Sequence, residues 1–164
     1  MKAQIRIIAL ALLLIGMSIS TFAQVSATAT ASATIVTPIA ISKTVDMNFG
    51  NVAVSATAGT VVLTPAGSRS LTGGVTLPTV AGTVAAAAFA VTGANNYTYT
   101  ITLPASPTTI TSGANSMTVS TFTSNPATTG TLSATGSQTL NVGASQAAGS
   151  YTSATPFTVT VNYN

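Results

Sequence analysis

The sequence predicts an all-β protein, an immunoglobulin-like antiparallel β-sandwich, on three observations. Apolar and hydroxyl residues alternate with period two in one segment after another, which is how a strand reads when one face is buried and the other is wet. Gly, Pro, Asn and Ser clusters punctuate these segments at the roughly 8 to 12-residue spacing typical of sandwiches and barrels. No window carries apolar residues at i, i+3, i+4 and i+7, so no helix is expected. At 164 residues without a cysteine, one domain is expected to bury about two thirds of the surface its unfolded chain exposes. A chain of that length favours two packed sheets over a barrel.

Taken from the N-terminus, residues 1–23 begin with Lys2 and Arg6, continue as the apolar run 7–17 and end in small residues before Gln24. That layout is a secretory signal peptide, and its apolar run is too short for a spanning helix of about 20 residues. Cleavage after Ala23 leaves no transmembrane segment, and a chain without Cys cannot carry a lipoprotein anchor. Residues 24–36 form an N-terminal extension or edge strand. Val25, Ala27, Ala29, Ala31, Ala33 and Ile35 alternate there with Ser and Thr. Mostly methyl groups, this face buries little by itself. Three readings stay open for it: a flexible leader, a first edge strand, or a strand donated to a neighbouring molecule.

Residues 37–164 supply the sandwich. Strands are expected at 39–49, 59–64, 68–72, 75–80, 84–92, 97–103, 117–123, 137–142 and 157–163. Tyr97, Tyr99, Ile101 and Leu103 oppose Thr98, Thr100 and Thr102. Phe157, Val159, Val161 and Tyr163 oppose Thr158, Thr160 and Asn162. Turns are expected at 64–67, 72–74, 92–96, 112–115 and 124–126. Phe49, Phe89, Phe122 and Phe157 fall on four different expected strands and, with the tyrosines, read as core anchors.

Composition removes most catalytic chemistry. The whole sequence holds four Lys and Arg, one Asp or Glu and no His. A glycosidase needs two carboxylates, a hydrolytic triad a base, a phosphate loop a Gly-Lys pair, and a metal site a cluster of ligands. None is present, so no enzyme activity, cofactor or metal is expected. Once the signal is removed, Lys43, Arg69 and Asp46 are the charges that remain, a net +1. Two dispersed cations do not make a nucleic-acid footprint. Low charge also gives little repulsion between copies, which favours self-association. Thr-x-Thr triplets at 28–30, 98–102, 121–123 and 158–160 raise ice binding, but they lack the fixed period of a stacked solenoid. Good strand formers on wet faces account for them.

Several short motifs occur in order: Asp46-Met47-Asn48-Phe49-Gly50-Asn51-Val52, Thr72-Gly73-Gly74-Val75, Phe89 to Gly93 leading into Tyr97 to Pro104, and Ala148-Gly149-Ser150-Tyr151 before the last strand. In this order they resemble the secreted bacterial family called domain of unknown function 4402, over about residues 33–164. More distantly, Asn48-Phe49-Gly50 and Gly149-Ser150-Tyr151 with the final strand look like spore-coat-U-type subunits of chaperone-usher pili. That likeness implies an incomplete sandwich completed first by a periplasmic chaperone and then by the next subunit's N-terminal extension. On it, Val25, Ala27, Ala29, Ala31, Ala33 and Ile35 are the candidate donor positions, and Phe157, Val159, Val161 and Tyr163 border the acceptor groove. The donor's alanines depart from the bulky residues usual in such strands.

The expected function is therefore a secreted, non-catalytic structural or adhesive surface subunit, a fimbrial-like building block located in the periplasm, on the outer surface or outside the cell. A monomeric binding module for glycans or a host surface, using Asn95, Asn96 and Tyr97, is the alternative.

Overall fold

The structure, a computed structural model, describes residues 24–112, 115–147 and 156–164. Two compact units divide the chain, Met1–Thr34 and Ile35–Asn164. The signal sequence, the Gly113-Ala114 turn and the Ala148 to Tyr151 motif lie outside the described residues. In the first unit, residues 24–34 are exposed and form no regular secondary structure.

The second unit is built from strands alone among its described residues. They are β1 (Ala40–Val45), β2 (Asn48–Phe49), β3 (Ala53–Leu63), β4 (Arg69–Thr76), β5 (Val84–Ala85), β6 (Ala87–Thr92), β7 (Thr98–Thr102), β8 (Thr108–Ser112), β9 (Asn115–Asn125), β10 (Thr129–Thr131), β11 (Ser137–Ala147) and β12 (Thr160–Tyr163). All pairings are antiparallel, and the expected β-sandwich is the fold.

The larger sheet runs β1-β6-β11-β3-β4, with β9 on the other edge of β11 and β8 outside β9. One edge of β11 is shared end to end: residues 137–142 pair with β6, and residues 144–147 pair with β3. Gly143 stands at the junction. The opposite edge pairs with β9 across the same junction, so the sheet curls about β11. A second sheet, β10-β7-β12, lies against the first, and β2 pairs with β5 apart from both.

The core fills the space between the two sheets. Ala87 and Val91 of β6 and Leu140 and Val142 of β11 meet Tyr99 and Ile101 of β7, Val161 of β12, Leu132 and Val159. Burying each Val, Leu or Ile contributes about 1.5–3 kcal/mol before chain entropy is counted. The alternation that predicted β7 is realised, with Tyr99 and Ile101 buried and Thr98, Thr100 and Thr102 exposed. Val61, Leu63, Val75, Met117, Val119 and Ala144 form a further buried set on β3, β4, β9 and β11.

Several expected elements are corrected. The strand at 39–49 is two strands, interrupted after Val45. The strands at 68–72 and 75–80 are the single strand β4, ending at Thr76, and Gly73-Gly74 is no turn. Gly73 holds φ +66 inside the strand, opposite a step where β3 advances from Val54 to Gly59 while β4 advances from Val75 to Gly73. The glycines absorb a wide bulge at 55–58, which in sequence is indistinguishable from a hairpin. Strands β8 and β10 were not expected: β10 is only three residues long, and β8 holds one bulky apolar residue, Ile110. The turns at 64–67 and 92–96 form as expected, with Gly67 N–H donating to Thr64 O (2.9 Å) and Tyr97 N–H to Ala94 O (3.3 Å); the first closes the β3-β4 hairpin, and the second carries the chain from one sheet to the other.

Candidate functional site

The phenylalanines were expected to anchor the core. Phe89, Phe122 and Phe157 do pack against it as half-buried residues, Phe49 does not, and all four line a cavity of about 840 Å³. Four separate elements deliver them.

Phe49 is carried by the Asn-Phe-Gly turn. Asn48 Oδ1 accepts the Gly50 N–H at 2.8 Å, an Asx turn, and Gly50 takes φ +70, a conformation that suits glycine. Arg69 Nη1 donates to the carbonyls of Phe49 (2.7 Å) and Asn51 (3.0 Å). The motif that carried the family resemblance is thus a backbone device, and Arg69 is its clasp. Phe89 stands on β6 between Lys43 of β1 and Leu140 of β11. Phe157 precedes β12 in extended chain and continues inward alternation with Val159 and Val161.

Phe122 arrives through a distortion. Between Gly143 and Ser145 β11 advances two residues, while β9 advances three, from Thr123 to Ser120. The extra residue puts Thr121 at φ +53, a strained value for a β-branched side chain. It also reverses the parity of the strand: Met117 and Val119 point inward, Thr121 is exposed, and Phe122 points inward again. Bulges often re-aim side chains beside functional sites, and this one adds an aromatic ring to the cavity.

Two ring contacts organise the wall. Phe89 meets Phe157 edge-on at 6.3 Å and 77°, and Phe122 meets Phe157 at 5.0 Å and 39°. Val45, Met47, Ala87, Ile110, Val119 and Pro156 complete the apolar lining. Gln146 also lines it, with its Nε2 against Met117 Sδ and its Oε1 buried without a hydrogen-bond partner among the described residues. At the rim Lys43 and Asp46 form an exposed ion pair at 2.5 Å. Among the described residues the cavity offers apolar contact area and one unsatisfied acceptor.

Of the residues expected at a subunit contact, Phe157, Val159, Val161 and Tyr163 lie along the C-terminal segment. Phe157 and Tyr163 are half-buried, and Val159 and Val161 are buried. Among the described residues β12 pairs with β7 alone, leaving its other edge without a ladder; β1 likewise pairs only with β6. Tyr163 ties the C-terminus to two other segments: its hydroxyl accepts the Ala94 N–H at 2.5 Å and donates to Thr37 O at 2.8 Å. On the donor side, Ala27, Ala29, Ala31 and Ala33 are exposed, as are Val25 (92%) and Ile35 (97%). No strand forms over 24–39.

The loop residues Asn95, Asn96 and Tyr97 are exposed. Tyr97, expected in the core, packs its ring edge-on against Tyr163 at 5.6 Å. Tyr99 is the fully buried tyrosine, donating to Gln138 Oε1 at 2.7 Å, and burial raises its pKa above the ordinary 10.0. The cavity itself was missed from sequence. Its one signal was that the phenylalanines fell on four different strands.

These features define a class: a charge-poor antiparallel β-sandwich with an aromatic cavity beside a strand that, among the described residues, is paired on a single edge. Within that class, residues 39–163 match the family model described as Domain of unknown function (DUF4402), and the chain belongs to this family. No curated protein and no solved structure matches the chain.

Proposed function

We propose that this protein is a non-catalytic structural or adhesive subunit, exported through the inner membrane by the signal at residues 1–23 and working in the periplasm, on the outer surface or outside the cell. It is a fimbrial-like building block. The observation that carries this reading is the phenylalanine cavity just ahead of a C-terminal strand whose outer edge has no ladder among the described residues. An extended segment of another polypeptide adds to such an edge through main-chain hydrogen bonds while alternate side chains enter pockets. An exposed edge beside apolar surface invites association, and three charges in the mature chain resist it weakly. The likeness to chaperone-usher subunits supports the same reading, with a periplasmic chaperone as first occupant and related surface subunits as later ones.

The test is assembly of residues 24–164, followed by light scattering and electron microscopy over a wide concentration range. Concentration-dependent polymers that are lost in Phe122→Asp, with the circular dichroism of a folded sheet retained, support the proposal. A monomer at every concentration, unchanged by that substitution, overturns it. The exposed Asn95, Asn96 and Tyr97 favour the second reading, a binding module; that reading requires Tyr97→Ala to abolish surface binding without altering assembly.

A further inference from the structure

The cavity has one feature that a generic groove lacks: its place along β12. Pro156 and Phe157 line it, whereas no residue from 158 to 164 does. It therefore sits at the start of the C-terminal segment. The hydrogen bond from Tyr163 to Thr37 O fixes where the N-terminal segment leaves the body, at the other end of β12. Phe157 and Tyr163 are six residues apart, about 20 Å of extended chain.

These two positions decide which copy can fill the cavity, and with which residue. Ile35 is two residues from Thr37 and reaches at most about 7 Å from it, so it cannot enter its own cavity. Val25 is twelve residues from Thr37 and spans about 40 Å. Folding back, it reaches that cavity only with the segment parallel to β12. A segment from a second copy enters at the cavity end and runs antiparallel to β12, the slightly stronger pairing. In that direction Ile35 meets the phenylalanines first.

We infer that Ile35 of one copy is the anchor that enters the cavity lined by Phe49, Phe89, Phe122 and Phe157 of the next. This rests on the strand-addition reading above. The register places Ile35 opposite Phe157, Ala33 opposite Val159, Ala31 opposite Val161 and Ala29 opposite Tyr163. The apolar side of the segment then faces the core throughout, and Ser26, Thr28, Thr30, Ser32 and Thr34 face water. The alanines are explained by the same register. Val159 and Val161 are only 8% and 7% exposed, so the sandwich is already filled along this stretch and admits methyl groups. Room for a larger side chain exists at the cavity, and there the segment carries isoleucine, which is 97% exposed in its own chain. Because the donating end and the accepting end lie on opposite ends of the domain, the contact is head-to-tail and does not close on itself. Such contacts build open filaments.

The absence of cysteine from the sequence makes the test clean. Residues 24–164 carrying Ile35→Cys are mixed with the same chain carrying Pro156→Cys, an exposed residue at the cavity mouth, and oxidised. A disulfide between copies is expected, together with assembly at least about tenfold weaker in Ile35→Ala than in Val25→Ala. If Val25→Cys joins Pro156→Cys within a single doubly substituted chain and Ile35→Ala assembles normally, the anchor assignment fails and the strand-addition reading stands. If deletion of residues 24–36 leaves the assembly unchanged, both fail.

Discussion

Thr121 is the residue whose backbone departs furthest from what its side chain favours. At φ +53 a β-branched residue sits in a region that costs an L-residue roughly 1–2 kcal/mol, and the rest of β9 and β11 holds it there. Thr121→Gly relieves that strain while loosening the unfolded chain, so urea unfolding should show a gain of about 0.5–1 kcal/mol. The exposed threonine side chain does not line the cavity, and glycine keeps the backbone turn that aims Phe122 into it, so assembly should be unaffected. Tyr99 makes a pH prediction. Burial raises its pKa above 10.0, so below pH 10.0 both folded and unfolded chains hold the proton and its contribution is complete. As pH rises past that value the unfolded chain loses its proton first, and stability falls until the folded value is passed. Thermal melts from pH 7 to 11 should be flat and then decline, and Tyr99→Phe should remove part of the decline.

Elements with a regular period were legible in sequence, and elements defined by an exception to it were not. β7 and β12 were visible because Thr or Asn alternates with Tyr, Ile and Val over their full length. The long strand β4 was divided because Gly73-Gly74 has the composition of a hairpin turn, although here it faces a bulge in β3. The cavity was hidden for the same reason: Phe122 enters it only because the extra residue at Thr121 inverts the alternation, and nothing in 117–123 announces the inversion. The Asn48-Phe49-Gly50 motif was noticed for its resemblance to other sequences, but its physical role depends on Arg69, twenty residues from Phe49. Arg69→Ala removes both hydrogen bonds to the Phe49 and Asn51 carbonyls. Charge-assisted bonds of this kind are worth about 1.5–3 kcal/mol, and a loss of that size should appear in thermal unfolding. The near-ultraviolet signal of the aromatic cluster should weaken with it as β2 loosens.

At the scale of the whole molecule, charge poverty and architecture point the same way. Lys43 and Asp46 satisfy one another at the surface, where such a pair contributes little, and Arg69 is spent on backbone carbonyls. Stability rests on the packing of two sheets and on the ladders that join them. Those ladders are unequally dependent on one another. β11 is paired on both edges at Asn141, Val142, Ser145 and Gln146, and one of those edges is divided between β6 and β3 at Gly143. Peeling β3 and β4 away leaves the β1-β6-β11 ladder intact, and the reverse opening spares β3 and β4, but neither half survives without β11. In native-state hydrogen exchange the molecule should accordingly open in two partial steps of different free energy. Amides of residues 141–146 should exchange only with global unfolding, the slowest class in the chain.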